Sequence, residues 1–141
     1  MISRRDLLEH SGALLLLGAL PQAQAEAQAQ GRGRGGGILF THDLPEVTLK
    51  NWEVTAVEVA YAPGQSSAAH RHPGITIAYV LEGEIKSKVG DGPERVYKVG
   101  EMFFENPREL HAVSANASTT KPARLLAILL AEKGQPRTAP A

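Results

Sequence analysis

No cysteine occurs among the 141 residues, which excludes thiolate metal ligands, cysteine nucleophiles and disulfide staples in any compartment. Any metal must be held by nitrogen and oxygen. Charge of one sign is also missing: 15 basic residues face 15 acidic ones, so no long-range field draws the chain to a polyanion. Nucleic acid is therefore not an expected partner. The longest apolar stretch, Gly12 to Leu20, is about nine residues, against the roughly 20 needed to cross a bilayer as a helix. No stable membrane insertion after processing is expected. Several catalytic signatures are lacking as well: there is no G-x-S-x-G elbow, no H-E-x-x-H, no P-loop, and no pair of carboxylates at an argued spacing.

What is present begins with an address. Residues 1–25 read as a charged start, an apolar stretch, Pro21 and an Ala-x-Ala cleavage pattern at Ala23 and Ala25, which is the layout of a signal peptide. Ser3, Arg4, Arg5, Asp6, Leu7 and Leu8 resemble the twin-arginine export signal, implying a bacterial protein exported to the periplasm by that pathway. Residues 26–37 alternate small and polar side chains before a glycine run; they cannot bury enough apolar area to order themselves and are read as a flexible linker. Gly31, Gly33 and Gly36 fit G-x-G-x-x-G, but no strand precedes them and no helix follows, so a phosphate cradle lacks its scaffold.

From Ile38 to Gly134 short apolar runs alternate with turn residues, the pattern of an all-β sandwich or barrel. Strands are predicted at Ile38–His42, Trp52–Tyr61, Ile75–Glu82, Glu84–Val89, Arg95–Val99, Met102–Glu105, Leu110–Ser114 and Arg124–Leu130. Pro63-Gly64, Pro73-Gly74, Gly90 to Pro93 and Asn106-Pro107 punctuate them. The Leu- and Ala-rich last run has helical composition, yet a barrel needs it as its closing strand. Trp52, Phe40, Phe103 and Phe104 are assigned to the core, and residues 135–141, with two prolines, to a disordered tail.

His70 and His72 are two residues apart, so on an extended segment both rings project from one face and converge on one point. His111 follows about 40 residues later, after a Pro-containing turn, where an antiparallel neighbour brings it across. Three neutral imidazoles suit a divalent transition metal, whether Zn, Fe, Mn, Ni or Cu. A bland alternative is that these histidines bond only to solvent or backbone.

In the pattern Gly64, five residues, His70-Arg71-His72, three residues, Thr76, six residues, Gly83, the chain resembles the first motif of small single-domain cupins of the type-2, RmlC-like kind. Gly100, Asn106, His111 and Asn116 resemble the second, with 16 residues between Gly83 and Gly100. The resemblance spans residues 38–134. It implies a cupin jelly-roll β-barrel with His70, His72 and His111 as metal ligands near its mouth, and it extends to a homodimer as an assembly state.

The sequence departs from the family where its glutamate ligand would stand, at Thr76. Three neutral ligands would leave the ion's double charge uncompensated and acidify bound water further. Thr76 shares parity with the histidines, so its hydroxyl either touches bound water or substrate or fills space. Glu105 on a later strand is the alternative carboxylate, against the commoner fate of an exposed charge at a strand end. Arg71 beside the ligands either grips an anionic substrate or is solvated, and Asn116 arrives one residue later than the family asparagine. The expectation is an exported cupin using its metal on an unidentified small organic molecule, by oxygenation, isomerisation, decarboxylation or lyase chemistry. A non-catalytic periplasmic barrel that binds a small ligand or the metal itself is the alternative, and no catalytic residue is assigned beyond the ligands.

Overall fold

Alternating side chains become alternating burial in the last long strand: Ala123, Leu125, Ala127 and Leu129 face inward while Arg124, Leu126, Ile128 and Leu130 face out. This is the signature of a sheet with one face on a core, not of a helix. The computed structural model describes residues 36–141; the signal segment and residues 26–35 of the linker lie outside the described residues. Every regular element described is a strand, and the architecture is all-β.

The strands are β1 (Trp52–Tyr61), β2 (Ser66–Ser67), β3 (His70–Arg71), β4 (Ile75–Glu82), β5 (Glu84–Val89), β6 (Arg95–Lys98), β7 (Met102–Glu105), β8 (Leu110–Asn116), β9 (Ala123–Glu132) and β10 (Ala139–Pro140). One sheet has the order β1-β9-β4-β7; the other runs β10-β3-β8-β5-β6, with β2 also paired to β8. All pairings are antiparallel. The chain passes repeatedly from one sheet to the other, which is the jelly-roll path. Gly83 makes one such passage in a single residue: its φ is +68°, and a Cβ there would lie 2.5 Å from the Pro122 carbonyl oxygen. Only glycine meets both conditions without strain.

Between the sheets Tyr61, Ala78, Val80, Ile85, Phe103, Ala123, Leu125, Ala127 and Leu129 form a buried cluster, with Val57, Val59 and Tyr97 packed against it. Of the four aromatics assigned to the core, only Phe103 belongs to this cluster. Phe104 is partly buried and stacks on His42, ring centroids 4.0 Å apart, and His42 in turn stacks on Phe40. Trp52 is also only partly buried.

The predicted strand at Ile38–His42 is replaced by irregular chain, with Ile38 and Leu39 largely exposed. It joins neither sheet, although its His42 packs on Phe104 of the edge strand β7. Conversely, the tail expected to be disordered after Gly134 returns to the barrel, where Ala139 and Pro140 pair with Arg71 and His70. Its two bridge positions use an open edge of β3, a partner that composition does not reveal.

Candidate metal centre

β3 and β8 build the centre, because their register sets His70 directly opposite His111. Side chains of directly opposed residues share a face. His72 follows just beyond β3, and the nitrogens of His70, His72 and His111 lie within 4.8 Å of one another. His111 is 3% exposed and His72 8%.

The hydrogen bonds of each ring decide which nitrogen faces inward. His70 Nδ1 donates to the Ala68 carbonyl at 2.8 Å, and His72 Nδ1 donates to the Arg137 carbonyl at 2.7 Å. Carbonyls only accept, so both rings carry their proton on Nδ1 and aim an Nε2 lone pair inward. Those two Nε2 atoms are 3.2 Å apart. His111 Nε2 lies 2.9 Å from Ser87 Oγ, which leaves Nδ1 facing the centre. Each ring thus has its outer nitrogen held by an oxygen, the arrangement that orients histidine for metal binding. Burial holds the His70 pKa below its ordinary value, favouring the neutral ligating form, with the neighbouring His111 and His72 adding to the effect; the bond to Ala68 and the charge of Glu105 oppose it.

Glu105 is the residue whose direction could not be read from sequence. It is not an exposed strand-end charge: it is 3% exposed, and its Oε2 lies 3.1 Å from His111 Nδ1 and 3.6 Å from His72 Nε2. Neither Oε2 nor His111 Nδ1 has a hydrogen-bond partner of acceptable geometry. Two lone-pair atoms facing each other without a hydrogen bond repel unless a cation lies between them, so this donor set fits a metal ion. The expectation of an uncompensated charge among three neutral ligands is therefore corrected, because a buried carboxylate stands beside them.

The other residues singled out are placed differently. Thr76 is 1% exposed with an unpartnered hydroxyl, and it lines a small recess with His72, Pro73 and Leu129 rather than the cavity beside the three histidines. Arg71 donates from Nη1 to the Arg108 carbonyl at 2.8 Å and ties down the turn before β8. Arg108 takes φ +62°, in the left-handed region that favours glycine, and its N–H donates to the His72 carbonyl at 2.7 Å. Asn116 does not reach the histidines; its Nδ2 donates to the Ala62 and Lys121 carbonyls at 3.1 and 2.7 Å, and its Oδ1 accepts from Ser118 N–H. The extra residue before it is absorbed by a β-bulge: Lys88 pairs with Val113 but Val89 with His111. A bulge shifts the side-chain parity by one. His111, Ser114 and Asn116 are consequently all buried.

The centre opens into a cavity of about 300 Å³ with apolar walls from Val57, Val59, Phe103, Leu125 and Leu129. Tyr61 adds a polar spot, its hydroxyl 2.8 Å from both Ser67 Oγ and Ser114 Oγ. Arg137 and Thr138 of the returning tail complete the lining. Sequence reasoning missed Ser87, Tyr61 and the tail. For Ser87 a signal existed, since it falls two residues after Ile85 on the inward parity of β5.

Comparison with known proteins agrees with this architecture. The cupin domain family matches residues 57–129, over half of the chain. A cupin-domain-containing oxidoreductase of Aspergillus ruber is 27% identical over 86 residues, 61% of this chain and 42% of that protein. Among solved structures, an RmlC-like cupin from Shewanella frigidimarina superposes with a TM-score of 0.50 at 27% identity, covering 58% of this chain and 69% of that one. The DMSP lyase DddQ from Ruegeria pomeroyi superposes at 0.54 with 19% identity, covering 62% and 43%. The chain spans less than half the length of that oxidoreductase and of that lyase. With the jelly-roll fold and a family match over residues 57–129, the chain belongs to the cupin family.

Proposed function

We propose that this cupin holds a divalent transition metal on His70, His72 and His111 and acts on a small organic molecule in the adjoining cavity. The observation that carries the reading is the convergence of three imidazole lone pairs while each ring's outer nitrogen is tied to an oxygen. A bound ion would supply Lewis-acid polarisation of an oxygen on substrate or water, or redox capacity where the metal is Fe, Mn or Cu.

The protein's own residues define what enters. Val57, Val59, Phe103, Leu125 and Leu129 exclude water and accept an apolar body, while the Tyr61, Ser67 and Ser114 hydroxyls orient an oxygen-bearing end. About 300 Å³ admits a small molecule, not a polymer segment. The Aspergillus ruber relative is named an oxidoreductase and the Ruegeria pomeroyi neighbour a lyase, so redox and elimination chemistry are the first classes to assay. Export by the twin-arginine pathway belongs to the same proposal, supported by Arg4, Arg5 and the apolar stretch that follows them. Among the described residues no helix is long and apolar enough to cross a membrane.

Elemental analysis of protein purified from its own host tests the reading, followed by a panel of small oxygenated substrates before and after chelation. One equivalent of a transition metal and chelator-sensitive turnover are expected. Metal with ligand-dependent melting but no turnover establishes the non-catalytic alternative. Absence of metal binding under every divalent ion tried overturns the proposal.

A further inference from the structure

We infer that Glu105 supplies the carboxylate ligand of this centre, the glutamate having been exchanged across the β4–β7 strand pair for the threonine at position 76. The inference rests on the metal-binding reading above and concerns which of this chain's side chains complete it.

The register makes the exchange geometrically simple. Thr76 and Glu105 are direct partners across the antiparallel pair. Directly opposed residues carry their Cβ atoms roughly 4.5–5.5 Å apart on the same face. A glutamate side chain spans that separation, so a carboxylate rooted at either position serves one point inside the barrel. The resemblance to the family places a glutamate at 76; this chain places its carboxylate on the facing residue.

Burial and partners point the same way. Glu105 is 3% exposed and its Oε2 has no hydrogen bond, a costly state for a carboxylate unless a cation sits beside it. That oxygen is close to two of the three inward-facing nitrogens, at 3.1 and 3.6 Å. Thr76 Oγ1 is equally buried and unpartnered, but as a neutral hydroxyl it offsets none of an ion's charge.

A rival role would have Glu105 merely accept a proton from His111 and hold the ring in place. The contact between Oε2 and Nδ1 lacks hydrogen-bond geometry, and the ring is already held through Nε2 by Ser87. The carboxylate is therefore free for the ion. With it, the ligand set becomes three nitrogens and one oxygen and offsets one of the ion's two charges.

Co(II) titration of the full chain, read by chelator competition and by the visible absorption of the bound ion, tests the inference. Wild type is compared with Glu105→Gln and with the exchange variant Thr76→Glu/Glu105→Thr. Glu105→Gln is expected to lose at least about 10–100-fold in affinity, the range seen even when only outer partners of a ligand are removed, and to shift the Co(II) bands. Without metal it should melt at or above wild type, because the change removes a buried charge. The exchange variant is expected to recover most of the affinity, and it keeps the inference testable should Glu105→Gln fail to fold. Wild-type affinity and an unchanged spectrum in Glu105→Gln overturn the inference while leaving the three-histidine site standing. A folded exchange variant that recovers nothing overturns it too. Failure of wild type itself to take up Co(II) removes the metal reading and this inference together.

Discussion

Replacing Ser87 by alanine isolates the one outer support of the metal centre that substitution can delete. His70 and His72 lean on backbone carbonyls of Ala68 and Arg137, but His111 leans on a side chain, Ser87 Oγ at 2.9 Å. Ser87 is 2% exposed, so water does not take over the bond in the folded state. Without that oxygen nothing holds the ring with Nε2 outward and its Nδ1 lone pair on the centre, and the ligating orientation is lost. Removing such a support costs about 10–100-fold in metal affinity, equivalent to roughly 1.4–2.7 kcal/mol. The metal-free protein loses a single buried hydrogen bond, at about 1 kcal/mol. For a domain of roughly this size that is a fall in Tm of about 4–8 °C. Chelator competition with Zn(II), beside thermal melts of metal-free protein, measures both quantities. Ser87→Thr keeps the hydroxyl and should stay within a few-fold of wild type, the added methyl being a modest overpacking cost of about 1 kcal/mol. Equal Zn(II) affinity in wild type and Ser87→Ala would refute the argument that His111 binds through Nδ1 with Nε2 anchored.

Three further outcomes are expected of the same domain. Truncation after Gly134 removes the Arg137 carbonyl that orients His72 and the β10 pairing on β3; metal affinity should fall by about tenfold or more, with little loss of the core strands by circular dichroism. Gly74→Ala should destabilise the metal-free domain by roughly 2–3 kcal/mol in denaturant titration, because a Cβ there would sit 1.9 Å from the Leu130 carbonyl oxygen and force β4 from β9. Asn116→Ala should cost about 1–2 kcal/mol in stability, through loss of the bonds from its Nδ2 to the Ala62 and Lys121 carbonyls, while Zn(II) affinity stays near wild type because the residue does not line the cavity beside the histidines.

Much was legible from the linear pattern, because a strand with one buried face writes its geometry as a period of two. β1, β4, β5 and β7 lie where alternation and turn residues put them, and β9 is a strand despite its Leu- and Ala-rich composition. His70 and His72 share a face for the same reason, and the second motif places His111 on the neighbouring strand. Two-residue pairings escaped notice, since β2, β3 and β10 are too short and polar to show any period. The predicted strand at Ile38–His42 failed in the opposite sense: its apolar composition does not bring it into either sheet.

By itself the sequence determined the all-β class, the spacing of the chief strands and the shared face of His70 and His72, because these depend on local periodicity and on residue chemistry, and its second motif pointed to His111. Only the tertiary structure decided where the carboxylate goes. In Met102-Phe103-Phe104-Glu105 one parity is wholly apolar and the other holds Glu105, so local pattern alone would turn the carboxylate outward; the pairing of β7 with β4 turns it inward, by setting Glu105 opposite Thr76. The bulge in β8 and the return of the tail to β3 belong to the same class of fact, since each depends on a partner strand distant in sequence.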